Sequence, residues 1–222
     1  MGFMGLLKSL DDLLYEVMSW LIFWPLTLWR AVRHPLAMMR YADDELNDAP
    51  EDQYQAALSP PLFLLLSLVI AHILEIALVG DSPLLASRVG LSGFISNDTD
   101  LLAARMAMFS VFPLLMAVRA LRSMNRPVTR DTLRQPFYAQ CYAATPMALW
   151  ASVAGTLLRM NVVGLQIAGV ASFLVSIIWF VSVETAWFRR IHHQSYGRAL
   201  GNAVRAYIEA ASIVAVAGTT LA

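Results

Sequence analysis

A single cysteine, Cys141, is the whole thiol inventory of this 222-residue chain. No intrachain disulfide can form, which excludes a disulfide scaffold and leaves the redox compartment open. Charge is also scarce, at 14% of residues, against ~25% in an ordinary soluble domain. What charge there is cancels, 16 basic residues against 16 acidic. There is no basic excess of the kind that binds nucleic acid. Gly-rich phosphate loops, Walker-type sequences and nucleophile–base constellations are missing too. The chain instead has 58% hydrophobic residues, beyond the ~45–50% of a soluble domain. That composition excludes disorder and points to a membrane protein.

A bilayer core of ~30 Å needs ~20 mostly apolar residues in a helix. Five segments qualify, at about 61–79, 101–121, 137–158, 162–188 and 199–221. The fourth is long enough to cross with tilt, and the fifth is the least hydrophobic. None shows the alternation of a membrane barrel strand. In hydrocarbon the backbone must pair within each segment, so helix is the expectation. Pro113 and Pro146 fall inside the second and third spans, where each should kink its helix. The fold class expected is all-α: a polytopic five-helix transmembrane bundle over residues 59–222, preceded by an N-terminal interfacial segment and acidic linker over residues 1–58.

Positive charge marks the cytoplasmic side. Arg122, Arg126, Arg130 and Arg134 lie between spans two and three, and Arg189, Arg190 and Arg198 between spans four and five. Arg30, Arg33 and Arg40 precede the first span. By contrast, the 80–100 loop sets Arg88 against Asp81, Asp98 and Asp100. The pattern predicts a cytoplasmic N-terminus and an extracytoplasmic C-terminus, in a bacterial inner or plasma membrane.

Within the first 58 residues, Leu6, Leu7, Leu10, Leu13, Leu14, Met18 and Leu21 recur at helical spacing, with Lys8, Asp12 and Glu16 opposite. The stretch VMSWLIFWPLTLW carries Trp20, Trp24 and Trp29 but is too short to span, and Pro25 is expected to break it. Residues 3–33 read as one or two amphipathic helices lying in the interface, with a cytosolic helix packed on the bundle as the alternative. A cleaved signal peptide is disfavoured, because acids follow the one Lys8 and no small-x-small site closes the apolar stretch. The stretch from Tyr41 to Ser59 reads as a solvated acidic linker.

Ionisable residues inside spans are costly and normally face protein or water. Here they are His72, Glu75, Arg105, Arg119, Glu184, Arg205 and Glu209. At ~1.5 Å per residue, depth matching suggests three partnerships: Glu75 with Arg105, Glu184 with Arg205 or Arg119, and His72 with Glu209. They could be interhelical glue, or His72 and Glu209 could line a polar path for a proton or small solute. Arg205 and Glu209 are also four residues apart and could satisfy each other. His72 and Glu75 share a helical face but supply two ligands at most, and His192 and His193 lie at the wrong end, so no metal and no cofactor is expected. Cys141 reads as core rather than catalyst. Small residues at helical spacing (Gly164, Ala168 and Ser172; Ala151 and Gly155; Ala206 and Ala210; Ala211 and Ala215) suit close contact within the bundle, or a homodimer face.

The layout resembles the Yip1 family of five-span membrane proteins. The residues that carry the resemblance are WRAVRHPLAMMR (Trp29 to Arg40) ahead of an acidic linker, LSPPLFLLLSL opening the first span, and FYAQCYAATP (Phe137 to Pro146) in the third. The resemblance implies a cytoplasmic N-terminus, five clustered spans and no catalytic residues. The expectation is a non-enzymatic multi-pass protein acting as a membrane-organising or interaction component. Its partners would be the lipid bilayer, other membrane proteins or a second copy, and no nucleic acid. A small permease or transporter subunit using His72 and Glu209 is the competing expectation.

Overall fold

The computed structural model describes residues 3–80, 98–190 and 193–221. Among them every regular element is a helix: α1 (Phe3–Arg33), α2 (Pro35–Glu45), α3 (Pro60–Val79), α4 (Asp98–Ser123), α5 (Arg130–Leu158), α6 (Val163–Arg190) and α7 (Tyr196–Leu221). Helices α3 to α7 are each long and apolar enough to cross a membrane, and they coincide with the five predicted spans. The chain is an all-α polytopic bundle. Asp81, Arg88 and His192 lie outside the described residues.

Local chemistry sets the helix ends. Pro60 and Pro61 occupy the first turn of α3, where a missing N–H costs nothing, and Gly80 ends it at φ +83°. Thr129 opens α5 with a reciprocal capping box: its hydroxyl accepts from the Thr132 N–H at 3.2 Å, while Thr132 Oγ1 accepts from the Thr129 N–H at 2.9 Å. The cap lets α5 begin seven residues ahead of the apolar run that starts at Phe137.

Helix α5 is the centre. It packs against α3, α4 and α6, while α7 closes the bundle against α4 and α6. The α5 stretch Ala139–Ala148 is buried throughout. Phe112 of α4, Phe180 of α6 and Tyr207 of α7 meet with ring centroids 5.5–6.4 Å apart, fixing the register of those three helices. Outward faces carry Ile73, Ile167, Val175, Ile178, Ile208 and Val216, all exposed, as a lipid-facing shell requires.

The small residues do not all sit where their spacing suggested. Ala199, Ala203, Ala206 and Ala210 form a buried stripe along α7. On α6, however, Gly164 and Ala168 are exposed, and the contact glycine is Gly169. A Cβ there would meet the Ala154 carbonyl oxygen at 3.0 Å and the Leu158 side chain at 3.1 Å. Gly155 is exposed as well. Spacing identifies a stripe but not which side of the helix faces the neighbour.

Pro25 does not break α1, which runs unbroken through it. The proline is exposed and removes one hydrogen bond, and the helix is held on either side of it. Trp24 Nε1 donates to Ser67 Oγ of α3 at 2.9 Å, and the Leu58 N–H donates to Thr27 Oγ1 at 3.1 Å. The real break falls at His34, ahead of Pro35. From Trp20 onward α1 packs on the core, whereas Leu10, Leu13, Leu14, Met18, Leu21 and Ile22 are exposed.

The acidic stretch is not simply solvated. Tyr41 to Glu45 belong to α2, which lies on α5 and buries Met38, Met39 and Ala42. Beyond it, Tyr142 of α5 donates to the Leu58 carbonyl at 2.6 Å, Arg30 donates to the Ala56 carbonyl at 2.9 Å, and the Tyr54 N–H donates to Glu45. Burial, reinforced by the neighbouring Asp44, pushes the Asp43 carboxyl up to about 7, with the Gln135 amide opposing it. The acids mark a segment folded against the bundle end.

The tight contact at Gly169 generates a prediction. Gly169→Leu should destabilise the bundle by ~1–3 kcal/mol through overpacking, while Gly164→Leu should be close to neutral. Thermal melts of the two variants in detergent check it, and equal melts would contradict the α5–α6 contact.

Candidate functional site

With five apolar spans, chemistry concentrates where polar side chains sit between helices. The largest group begins on α3. His72 and Glu75, one turn apart, both point inward and are buried. Arg105 of α4 reaches Glu75 Oε2 at 2.5 Å and His72 Nδ1 at 3.4 Å, and that same His72 nitrogen lies 4.0 Å from Glu75 Oε2. Arg159, the residue after α5, donates to the other Glu75 oxygen. The expected Glu75–Arg105 pair is therefore present, and a second arginine joins it. Arg159 lies in the short connection between α5 and α6, outside the spans. The available signal was that this connection emerges at the same end of the bundle as Glu75.

The other two expected pairings change. Glu209 does not meet His72; Arg119 of α4 pairs with it at 2.6 Å, and Glu209 is half-exposed. The polar path at His72 and Glu209 is thus not assembled, because α7 packs against α4 and α6 rather than on α3. Glu184 meets neither Arg205 nor Arg119. It is fully buried and accepts from Gln140 Nε2 of α5 at 3.0 Å. Glu184 shares its side of α6 with the buried Phe180, Trp187 and Phe188, so it faces α5. Arg205 is exposed on α7, off the alanine stripe.

The remaining oxygens of this pair, Gln140 Oε1 and Glu184 Oε1, are buried without a hydrogen-bond donor among the described residues. Cys141, next to Gln140, is fully buried in the core. Among the described residues, no three His, Cys, Asp or Glu side chains converge as a metal site would require.

Three separate polar clasps therefore join the helices: α3 with α4 and the end of α5, α4 with α7, and α5 with α6. In hydrocarbon such contacts select which helices pair, since apolar faces alone do not distinguish a neighbour from lipid. The arrangement is that of a multi-pass membrane protein with locally closed charges. Comparison with family models, with curated proteins and with solved structures returns no match to this chain.

The Glu75 cluster is testable by a double-mutant cycle. An unpaired charge in a span costs ~2–3 kcal/mol at the bilayer centre and less toward the interface. Glu75→Gln should lower the melting temperature more than Arg105→Gln or Arg159→Gln, because it removes the carboxylate that both guanidinium groups share, whereas either arginine variant leaves Glu75 one partner. The Glu75→Gln/Arg105→Gln double variant should lose less than the sum of its singles. Strict additivity would show that the two residues do not interact.

Proposed function

We propose that the chain is a non-enzymatic, Yip1-like multi-pass protein that organises the membrane or its protein partners. In this reading it sits in a bacterial inner or plasma membrane with its N-terminus in the cytoplasm. The observation that carries the reading is the closure of the intramembrane charges. Glu75, Glu184 and Glu209 each bind a partner on a different helix, at a different place. Groups used in this way hold helices together. The exposed apolar side of α1 supports a further part of the reading, that this helix lies in the headgroup plane.

Purification in mild detergent should recover a membrane-protein partner or a second copy in fixed ratio to the chain. In liposomes loaded with a pH-sensitive dye, proton leak should match that of protein-free vesicles. A saturable flux that Glu209→Gln abolishes would overturn the reading in favour of a transporter.

Orientation has its own test. An enzyme reporter that works only outside the cytoplasm, fused after Ala222, should be active, and the same reporter inserted at Asn125, between α4 and α5, should be silent. The reverse pattern would invert the proposed topology.

A further inference from the structure

Where α1 turns into α2, the chain forms a cavity of about 420 Å³ against the C-terminal part of α6. That volume falls in the ~300–1,000 Å³ range of small-molecule sites. Its walls are of two kinds. Arg33, His34, Arg40 and Arg190 supply the polar wall, and Trp179 and Val183 lead the apolar one. Among the described residues, none of these four basic side chains forms an ion pair. Arg33 stacks over Trp29 at 5.7 Å, and Arg40 Nε donates at 3.3 Å to the carbonyl of Leu36, so both are placed rather than free to wander.

The first turn of α2, from Pro35 to Ala37, also borders the cavity, and its cap residue His34 makes no side-chain capping bond. The positive end of that helix dipole thus adds to the arginines. The acid nearest along α2, Asp43, lines a different cavity, beside Gln135 and Trp187.

Such a site fits a ligand with an anionic head and an apolar body. Its position fits as well: Arg190 closes a membrane-crossing helix, and Trp179 lies about 17 Å deeper along it. The cavity therefore straddles the level at which headgroups meet acyl chains. We infer that it binds an acidic glycerophospholipid, with Arg33, Arg40 and Arg190 on the phosphate and an acyl chain running along Trp179 and Val183. Arginine suits this role because its planar fork takes two phosphate oxygens at once. Basic pockets between membrane helices recognise phospholipid headgroups in this way.

The test uses the full chain in mild detergent, with phosphatidylglycerol and phosphatidylcholine added in equal amounts and native mass spectrometry counting bound lipid. The wild-type protein should retain phosphatidylglycerol in excess. At about fivefold per arginine, the Arg33→Gln/Arg40→Gln/Arg190→Gln variant should bind it at least ~10-fold more weakly. Arg122→Gln/Arg126→Gln/Arg130→Gln removes the same charge from around the α4–α5 connection and should retain the lipid. Ala186→Trp fills the cavity without altering charge and should also lose it, which keeps the test valid if the triple pocket variant fails to fold. Equal loss in both triple variants, no phosphatidylglycerol excess in the wild type, or binding of inorganic phosphate alone would overturn the proposal.

Discussion

At the middle of the bundle, α5 presents Ala139, Ala143, Ala144 and Ala148, where a lipid-facing helix would carry larger side chains, and all four are fully buried. Small side chains let neighbouring backbones come close, and close approach is what holds helices together when the surroundings are as apolar as leucine. Because α5 is thin here, α3, α4 and α6 all reach it. Tyr142 uses the same stretch differently: its ring packs on Phe63 and Tyr41, and its hydroxyl ties down the Leu58 carbonyl. A large residue at Ala143 or Ala144 would push the outer helices away together, since they share one support.

The polar clasps act on this packing as selectors. A carboxylate in a span must find a donor, and only certain neighbours bring one to the right level and the right side. Level can be read from the chain, because a helix rises uniformly along its axis. That is why the Glu75–Arg105 pair is legible in the sequence. Side cannot be read in the same way, because it depends on which helices are neighbours and on how each is rotated. His72 and Glu209 match in level but sit on helices that do not pack together, so the pairing fails. Glu184 illustrates the second difficulty. Depth matches it to the arginines Arg205 and Arg119, yet a neutral amide, Gln140, meets the need. Arg159 joins the cluster from beyond the end of α5, since a long side chain at a helix end reaches back into the bundle.

The five spans are the most legible part of the fold, since each rests on length and hydropathy and needs no knowledge of its neighbours. The N-terminal region is less legible because its structure comes from contacts distant in sequence. Proline propensity argues for a break at Pro25, yet Trp24 and Thr27 each bond residues some 30–40 positions away and carry the helix through. Likewise the acidic run looks like a solvated tether until Leu58 and Tyr142 are joined. Local rules hold where nothing else competes, as at His34–Pro35, where the proline does start a new helix.

The two ends of the bundle hold their arginines differently. At one end, Arg105 and Arg159 converge on Glu75 in a partly buried cluster, two guanidinium groups sharing one carboxylate. At the other, Arg33, Arg40 and Arg190 line an open cavity, and Arg122, Arg126 and Arg130 stand exposed where α4 ends and α5 begins. Surface arginines project a field over roughly a Debye length, ~8 Å in physiological salt. The amphipathic α1 and the α2 segment pack at the end that carries these exposed arginines. The folded chain therefore presents a basic face next to an apolar helix. That combination is what an anionic lipid layer recognises.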